Sequence, residues 1–301
     1  MISMIQMQGT LFLYILIGIY AQKKGIITGL NRKKFTDFII EIILPCNIVN
    51  SFLIPWSNEI LMNCLTVLIV AIITQVLYVL LSKVLFCKTV NDRQAVLRYA
   101  IICSNAGFLG NPIVESVFGG QGLLFASVAL IPLRFAMWSS GLSLFTKTDG
   151  KSTAKMLITH PCIIAVFVGF FLMVTQIQLP GFLLKSMSGI GNSNTAISMI
   201  VIGSILAEIH IKDILEKQLF YYSFLRLIAI PATVFFVLRL CGINSLVIGV
   251  IVLLSAMPAG STTVMLAAKY DGNARFASSC VFLSTILSLF TIPLISYFLV
   301  K

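Results

Sequence analysis

The feature that most constrains this chain is a succession of long apolar stretches that fill almost its whole length. A helix needs about 20 predominantly apolar residues to cross the hydrocarbon core of a bilayer. Ten stretches meet this requirement, and we name them segments 1 to 10 in chain order. They cover residues 4–22, 35–54, 60–82, 94–118, 122–145, 155–176, 187–207, 217–240, 245–269 and 274–299. The sequence therefore predicts an all-α polytopic membrane protein with ten transmembrane helices.

The composition excludes soluble classes of protein. Only 10% of the residues are charged and 58% are hydrophobic, whereas ordinary soluble chains carry roughly 25% charged residues. The net charge of +11 does not indicate nucleic-acid binding, because the basic residues lie in short islands between apolar segments and do not form a basic patch with interleaved aromatic residues. We expect a lipid bilayer as the environment, no nucleic-acid partner and no cofactor.

Basic residues are distributed unevenly between the loops. Cytoplasmic loops of membrane proteins carry an excess of Lys and Arg. The loops after odd-numbered segments hold 16 of these residues, whereas the remaining loops and the C-terminus hold 3. We therefore expect a multi-pass protein of the plasma membrane with both termini outside the cell.

The ten segments divide into two halves of five. Residues 1–145 are the predicted first repeat, residues 146–154 a short cytoplasmic connection, and residues 155–301 the predicted second repeat. An odd number of helices per half gives the second half the opposite orientation in the membrane. Inverted repeats of this kind are typical of secondary transporters, whose substrates bind near the bilayer midplane at broken helices.

Segments 4 and 9, which are equivalent in the two halves, both contain a proline beside glycines and small polar residues. Proline removes a main-chain donor and clashes with the preceding turn, and freed main-chain groups are tolerated in lipid only where protein or a polar cavity satisfies them. We expect both helices to break, with Asn111 as N-cap and Pro112 as first residue of a new half-helix. Two helix N-termini that meet at the midplane would bind a carboxylate. The alternative is an ordinary kink in each helix.

Ten residues at or near these breaks are candidates for substrate binding. They are Asn105, Gly107, Asn111, Pro112, Pro258, Gly260, Ser261, Thr262, Arg134 and Asn47. Charge inside a membrane is costly and usually functional, so Arg134 and, with less weight, Arg226 are candidate counter-charges for an anion. Either arginine could instead pair with an internal acid or extend to an interface. Glu115 is a candidate for binding a coupling proton or cation, or it neutralises an arginine; no pattern indicates a catalytic residue or a metal site.

The motif SNAGFLGNPIVESVFG of segment 4, the motif AMPAGSTTVMLAAKYDGN of segment 9 and the LRLIAIP of segment 8 resemble the auxin efflux carrier family. The short central connection is similar to that of its prokaryotic members, which are regarded as permeases for malate-like or malonate-like anions. The resemblance implies a scaffold of segments 1, 2, 6 and 7 and a moving transport domain of segments 3–5 and 8–10. It also implies substrate binding where the broken helices cross, an elevator-like cycle and a homodimer through the scaffold.

Three other functions compete with transport of a small organic anion or of an auxin-like acid. A sodium-coupled symporter of a bulkier, bile-acid-like anion shares the implied fold and stays an alternative. An ion channel needs a continuous polar lining or a ring of charges, and the segments contain only isolated polar residues. An intramembrane enzyme needs a nucleophile and a base in a known motif, such as HExxH, and none is present.

Overall fold

The computed structural model describes residues 2–53, 55, 57–87, 89–146, 159–207, 216–260, 262–270 and 272–300. Within these ranges the fold is helical, and no β-strand is found. Five helical stretches are long and apolar enough to cross a membrane: Asn31–Phe52, Asn58–Leu85, Ala106–Leu144, Lys217–Leu240 and Ala274–Leu299. Shorter apolar helices cover Phe12–Lys23, Pro161–Thr175 and Ser245–Ser255. The prediction of an all-helical membrane protein is confirmed, and the count of ten crossings stays a prediction.

The helices of the first half follow segments 1 to 5. Their bounds are Ile2–Lys23, Gly29–Phe38, Leu44–Phe52, Asn58–Leu85, Asn91–Ile102 and Asn111–Ala136, with π-helical turns at Ile39–Ile43, Ala106–Gly110 and Met137–Gly141 and a 3₁₀ turn at Leu142–Leu144. Gly119 interrupts the helix Asn111–Ala136 with a φ of 66° and a ψ of −161°. This is the place where the sequence predicts the turn between segments 4 and 5, and glycine adopts a positive φ at little steric cost.

The helices of the second half follow segments 6 to 10. Their bounds are Pro161–Thr175, Gly181–Asn192, Asn194–Leu206, Lys217–Phe224, Ile230–Leu240, Ser245–Ser255, Thr262–Lys269 and Ala274–Val300, with a π-helical turn at Leu225–Ala229. The described helix of segment 6 begins at Pro161, later than expected, because His160 caps it by accepting from the N–H of Cys162 at 3.3 Å. Most of the predicted connection 146–154 lies outside the described residues.

Three prolines follow π-helical turns. In each case the proline is the second residue after the turn. Pro45 follows the turn Ile39–Ile43, Pro112 follows Ala106–Gly110, and Pro231 follows Leu225–Ala229. A proline ring clashes with the carbonyl four residues earlier in a regular α-helix. The wider π turn relieves this clash, and the N–H of Asn111 donates to the carbonyl of Ala106, five residues back. These prolines therefore bend their helices and do not start them.

Segments 1, 2, 6 and 7 pack against one another, and segments 3–5 and 8–10 pack against one another. The tightest contact in the first group is between segments 1 and 7. A Cβ atom added at Gly18 would lie 2.0 Å from the carbonyl oxygen of Ile200, and one added at Gly203 would lie 2.0 Å from that of Ile15. The two main chains therefore touch, which requires glycine at both positions.

Large apolar side chains are exposed on the outside of the helices. Examples are Phe12, Ile69, Phe167, Phe236 and Phe290. Soluble monomers rarely expose contiguous apolar surfaces of this extent. Such an exterior is satisfied by lipid, which agrees with a multi-pass membrane protein.

We predict that Gly203→Ala destabilises the fold. The added methyl group would overlap with the carbonyl of Ile15, and overpacking of this kind costs about 1–3 kcal/mol. The measurement is thermal unfolding of the purified chain in detergent. Gly189→Ala is the matched control in the same segment, because a Cβ there meets no atom within 4 Å. Equal unfolding temperatures for the two variants would contradict the close contact.

Candidate functional site

Segments 4 and 9 both break, and the two breaks lie against each other. In segment 4, half-helix 4a (Asn91–Ile102) ends and half-helix 4b starts at the π turn Ala106–Gly110. In segment 9, half-helix 9a (Ser245–Ser255) ends and half-helix 9b (Thr262–Lys269) follows. We name the two breaks, residues 103–105 and 256–260, the crossover.

Two main-chain hydrogen bonds join the breaks. The N–H of Asn105 donates to the carbonyl of Pro258 at 2.8 Å, and the N–H of Gly260 donates to the carbonyl of Cys103 at 3.2 Å. Ser104 and Ala259 thereby form an isolated antiparallel bridge. A Cβ at Gly260 would lie 3.2 Å from the carbonyl oxygen of Cys103, so a small residue is needed for this approach. Pro258 and Gly260 contribute to the crossover through their main chains.

Arg226 of segment 8 lies at the C-terminal ends of both half-helices. Its side chain is only 1% exposed. Its Nε donates to the carbonyl of Met257 at 3.0 Å, and its Nη1 donates to the carbonyl of Ile101 at 3.2 Å. The guanidinium also stacks over the ring of Tyr78, 5.0 Å from the ring centroid. One side chain therefore joins the end of 4a to the break that follows 9a.

The neighbouring carbonyls of half-helix 4a also have side-chain donors. Tyr222 Oη donates to the carbonyl of Ala100 at 3.0 Å. Gln75 Nε2 of segment 3 donates to the carbonyl of Ile102 at 2.9 Å. The last carbonyls of a helix lack intrahelical partners, and in a membrane they must find others. Here segments 3 and 8 supply them.

A cavity of about 40 Å³ lies beside this cluster, with Gln75, Tyr78, Ser104, Ser255 and Arg226 in its wall. This volume accommodates water molecules and is far smaller than an organic acid. The cavity therefore has room for water beside the polar groups behind the crossover and is too small for the substrate.

On the N-terminal side, the expected start of half-helix 4b was wrong. Asn111 is helical, with φ −56° and ψ −52°, and five helical residues precede it. It is therefore not an extended N-cap, and Pro112 is not the first residue of the half-helix. The π turn before the proline keeps the chain helical, so 4b begins at Ala106 instead.

Polar atoms on this side remain without partners in the described part of the chain. Asn111 is 0% exposed, and neither its amide oxygen nor its amide nitrogen has a hydrogen-bond partner. The hydroxyl of Thr263, at the start of half-helix 9b, is also buried and unpartnered, as is that of Ser104, which lies in the wall of the cavity behind the crossover. Burying such groups without partners costs free energy, and unsatisfied buried groups require an explanation. A bound ligand that hydrogen-bonds to them would supply one.

Two glycines of half-helix 4b differ in their surroundings. A Cβ at Gly107 would meet no atom of a neighbouring segment within 4 Å, whereas one at Gly110 would lie 2.9 Å from Leu254 Cδ2. Gly107 therefore borders open space at the start of 4b, and Gly110 packs against segment 9.

Half-helix 4b also contacts segment 2. Asn47 Nδ2 donates to Glu115 Oε2 at 3.1 Å. Asn47 is buried, and Glu115 is half-buried. The predicted substrate ligand Asn47 and the predicted coupling residue Glu115 are therefore partners in this structure.

Arg134 does not contact the crossover. Its side chain is 6% exposed, its Nη1 has no hydrogen-bond partner, and its guanidinium lies beside Cys162 and His160 at the start of segment 6. The sequence ranked Arg134 above Arg226, but Arg226 is the arginine at the crossover. Thr262 begins half-helix 9b next to the crossover, and Ser261 lies outside the described residues.

Sequence reasoning also missed Gln75, Tyr78 and Tyr222. Gln75 is a buried amide in segment 3, which is otherwise strongly apolar. A polar residue at the middle of such a helix is a signal for a functional or structural partner, and it could have been found from the sequence.

Comparison with known proteins identifies relatives over almost the whole chain. The family described as "Membrane transport protein" matches residues 4–296. An uncharacterised transporter of Methanocaldococcus jannaschii is 27% identical over 304 residues, which cover 95% of this chain and 96% of the relative. One of Methanothermobacter thermautotrophicus is 30% identical over 66% of each chain, and one of Escherichia coli is 24% identical over 70% of each.

We predict that Asn111→Leu leaves the free energy of unfolding unchanged or raises it. The amide has no partner, and replacing an unsatisfied buried polar group by an apolar one of similar size removes a desolvation cost. The control is Asn244→Ala, which removes a satisfied amide that caps half-helix 9a through the N–H of Leu246 and should cost about 1 kcal/mol. A large loss of thermal stability in the Asn111 variant alone would show that its amide has a partner.

Proposed function

This chain belongs to the membrane transport protein family, the family of the auxin efflux carriers, and we propose that it carries a small organic anion across the plasma membrane. Malate-like or malonate-like carboxylates are the proposed substrates. The family consists of transporters, and the relatives are named transporters, so the chain is not an enzyme.

The observation that carries the proposal is the polarity of the crossover. The carbonyl of Ile101 in half-helix 4a and that of Met257 just after half-helix 9a already accept from Arg226, which contributes a full positive charge. The first N–H groups of a helix have no intrahelical partner and carry a partial positive charge. Such groups belong to the first turn of 4b, where Gly107 borders open space, and Asn111 with its unpartnered amide follows in the next turn. Donors and positive potential together favour a carboxylate.

The proposed substrate site has two sides. On segment 4 it uses Asn105, Gly107, Asn111 and Pro112, where Asn111 donates from its amide and Pro112 holds the bend that aims 4b. On segment 9 it uses Pro258, Gly260, Ser261 and Thr262. Asn47 would reach the site from segment 2 after releasing Glu115, with which it is hydrogen-bonded here. Arg134 would raise the potential from segment 5 without a contact at the crossover.

We further propose that the chain forms two inverted five-helix repeats that work by an elevator-like, alternating-access cycle. The reciprocal bonds of the crossover support this arrangement, because each break donates one main-chain hydrogen bond to the other. Segments 3–5 and 8–10 would move as the transport domain. Segments 1, 2, 6 and 7 would form the scaffold, through which two copies would pair, with both termini outside.

Glu115 is the proposed site of a coupling proton. It is the acidic residue of half-helix 4b, and its hydrogen bond to Asn47 joins that half-helix to segment 2. Protonation would weaken this bond, since the carboxylate is the better acceptor. A proton at Glu115 would thereby release the transport domain from the scaffold.

The test is counterflow in proteoliposomes with labelled malate, malonate, lactate, indole-3-acetate and taurocholate. Counterflow requires only exchange, so no coupling ion has to be assumed. We expect exchange of a small carboxylate by the wild-type chain and its loss in Asn111→Ala. Exchange of taurocholate alone would support the sodium symporter of a bulkier anion, and silence for every acid with folded protein would contradict the organic-anion proposal.

We predict that glycine-to-leucine substitutions at two positions one turn apart in half-helix 4b affect different properties, exchange in one case and stability in the other. Gly107→Leu should abolish exchange and leave the unfolding temperature unchanged, because the side chain fills open space at the proposed site. Gly110→Leu should lower the unfolding temperature, because its side chain collides with Leu254. Normal exchange by Gly107→Leu would remove this space from the substrate path.

A further inference from the structure

We propose that the guanidinium of Arg226 is a built-in cation that does permanently what a bound metal ion would do at the crossover. Its consequence for transport, independence from sodium, rests on the proposed function. Its consequence for stability does not.

The guanidinium of Arg226 lies between two negative helix ends. Each helix C-terminus carries about half a negative elementary charge; half-helix 4a ends at Ile102, and 9a ends at Ser255, two residues before Met257. The guanidinium donates to one carbonyl from each side, Ile101 and Met257. One full positive charge therefore balances two half charges.

Among the described residues, Arg226 has no carboxylate partner. Buried charges are normally paired, yet Arg226 is 1% exposed. Its partners in the described part of the chain are two carbonyls and the ring of Tyr78, and none of them is a carboxylate. The carbonyl groups at the ends of the two half-helices therefore compensate the positive charge of Arg226.

Arg226 also occupies the carbonyl oxygens that a sodium ion would need. Transporters with broken helices coordinate sodium through unwound carbonyls and the C-terminal ends of half-helices. The carbonyls of Ile101 and Met257 accept from Arg226, and the carbonyl of Ile102 accepts from Gln75. The adjoining cavity of about 40 Å³ has the guanidinium in its wall, so a metal ion there would meet like charge.

The choice of arginine fits this role. Arginine remains charged under all relevant conditions, and its planar group presents several donors in fixed directions. It thereby reaches carbonyls of two different segments at once. Lysine offers a compact charge on a flexible stem, so Arg226→Lys should keep the charge and lose part of the geometry.

The first test measures thermal unfolding of the purified full chain in sodium, potassium and choline chloride at equal ionic strength. We expect the wild-type unfolding temperature to be the same in all three salts. Arg226→Ala should unfold at a lower temperature and recover when millimolar guanidinium chloride is added, because the vacated space joins the existing cavity and admits that ion. Arg239→Ala, which removes an exposed arginine of the same segment, should show neither effect.

Either of two results overturns the proposal. One is a wild-type chain that sodium stabilises more than potassium does. The other is an Arg226→Ala chain that no cation restores or that is as stable as the wild type. If Arg226→Ala does not fold, Arg226→Lys takes its place, with an intermediate unfolding temperature expected; a temperature equal to that of the wild type would contradict the two-sided geometry.

The second test compares wild-type counterflow in sodium and potassium buffers. Equal rates are expected, and exchange that requires sodium would overturn the built-in cation. If no carboxylate is exchanged at all, the proposed function fails, and the unfolding temperatures still decide the role of Arg226.

Discussion

A helix that breaks inside a bilayer must find new partners for its freed main-chain groups, and this requirement organises the structure. Segments 4 and 9 meet it by breaking at the same place and donating to each other, through Asn105 to Pro258 and Gly260 to Cys103. The remaining carbonyls are satisfied by side chains from segments 3 and 8. Segments 3, 4, 8 and 9 are thereby tied to one crossing point, and neither broken segment would be stable in lipid without the other.

The crossover has two chemically different sides. On the carbonyl side, side chains of segments 3 and 8 donate to carbonyls of half-helix 4a, and Arg226 joins that half-helix to Met257 of segment 9. At the starts of half-helices 4b and 9b, Asn111 and Thr263 keep buried polar atoms without partners among the described residues. Such buried, unpartnered atoms cost free energy, and proteins usually keep them only where a bound ligand or a change of conformation compensates for that cost. The hydrogen-bonded carbonyl side therefore holds the half-helices in place, and the side with unpartnered polar atoms is where a substrate would bind.

Much of this arrangement is readable from the sequence, because apolar length and proline placement act locally. The breaks in segments 4 and 9 and the turn at Gly119 follow from those signals. The start of half-helix 4b does not, because a π turn lets the helix run through Asn111 and Pro112. The role of Arg226 does not follow either: its partners Ile101 and Met257 lie 125 and 31 residues away in the chain, and only tertiary packing brings them together.

The most direct measurement of the central claim is substrate protection of a cysteine at the start of half-helix 4b. Gly107→Cys would be introduced into a chain whose exposed cysteines, Cys87 and Cys241, are replaced by serine, and its reaction rate with a maleimide would be followed. A carboxylate that gives counterflow should slow this reaction and leave a Gly189→Cys control unchanged. Equal rates with and without saturating carboxylate would contradict a substrate site at the crossover.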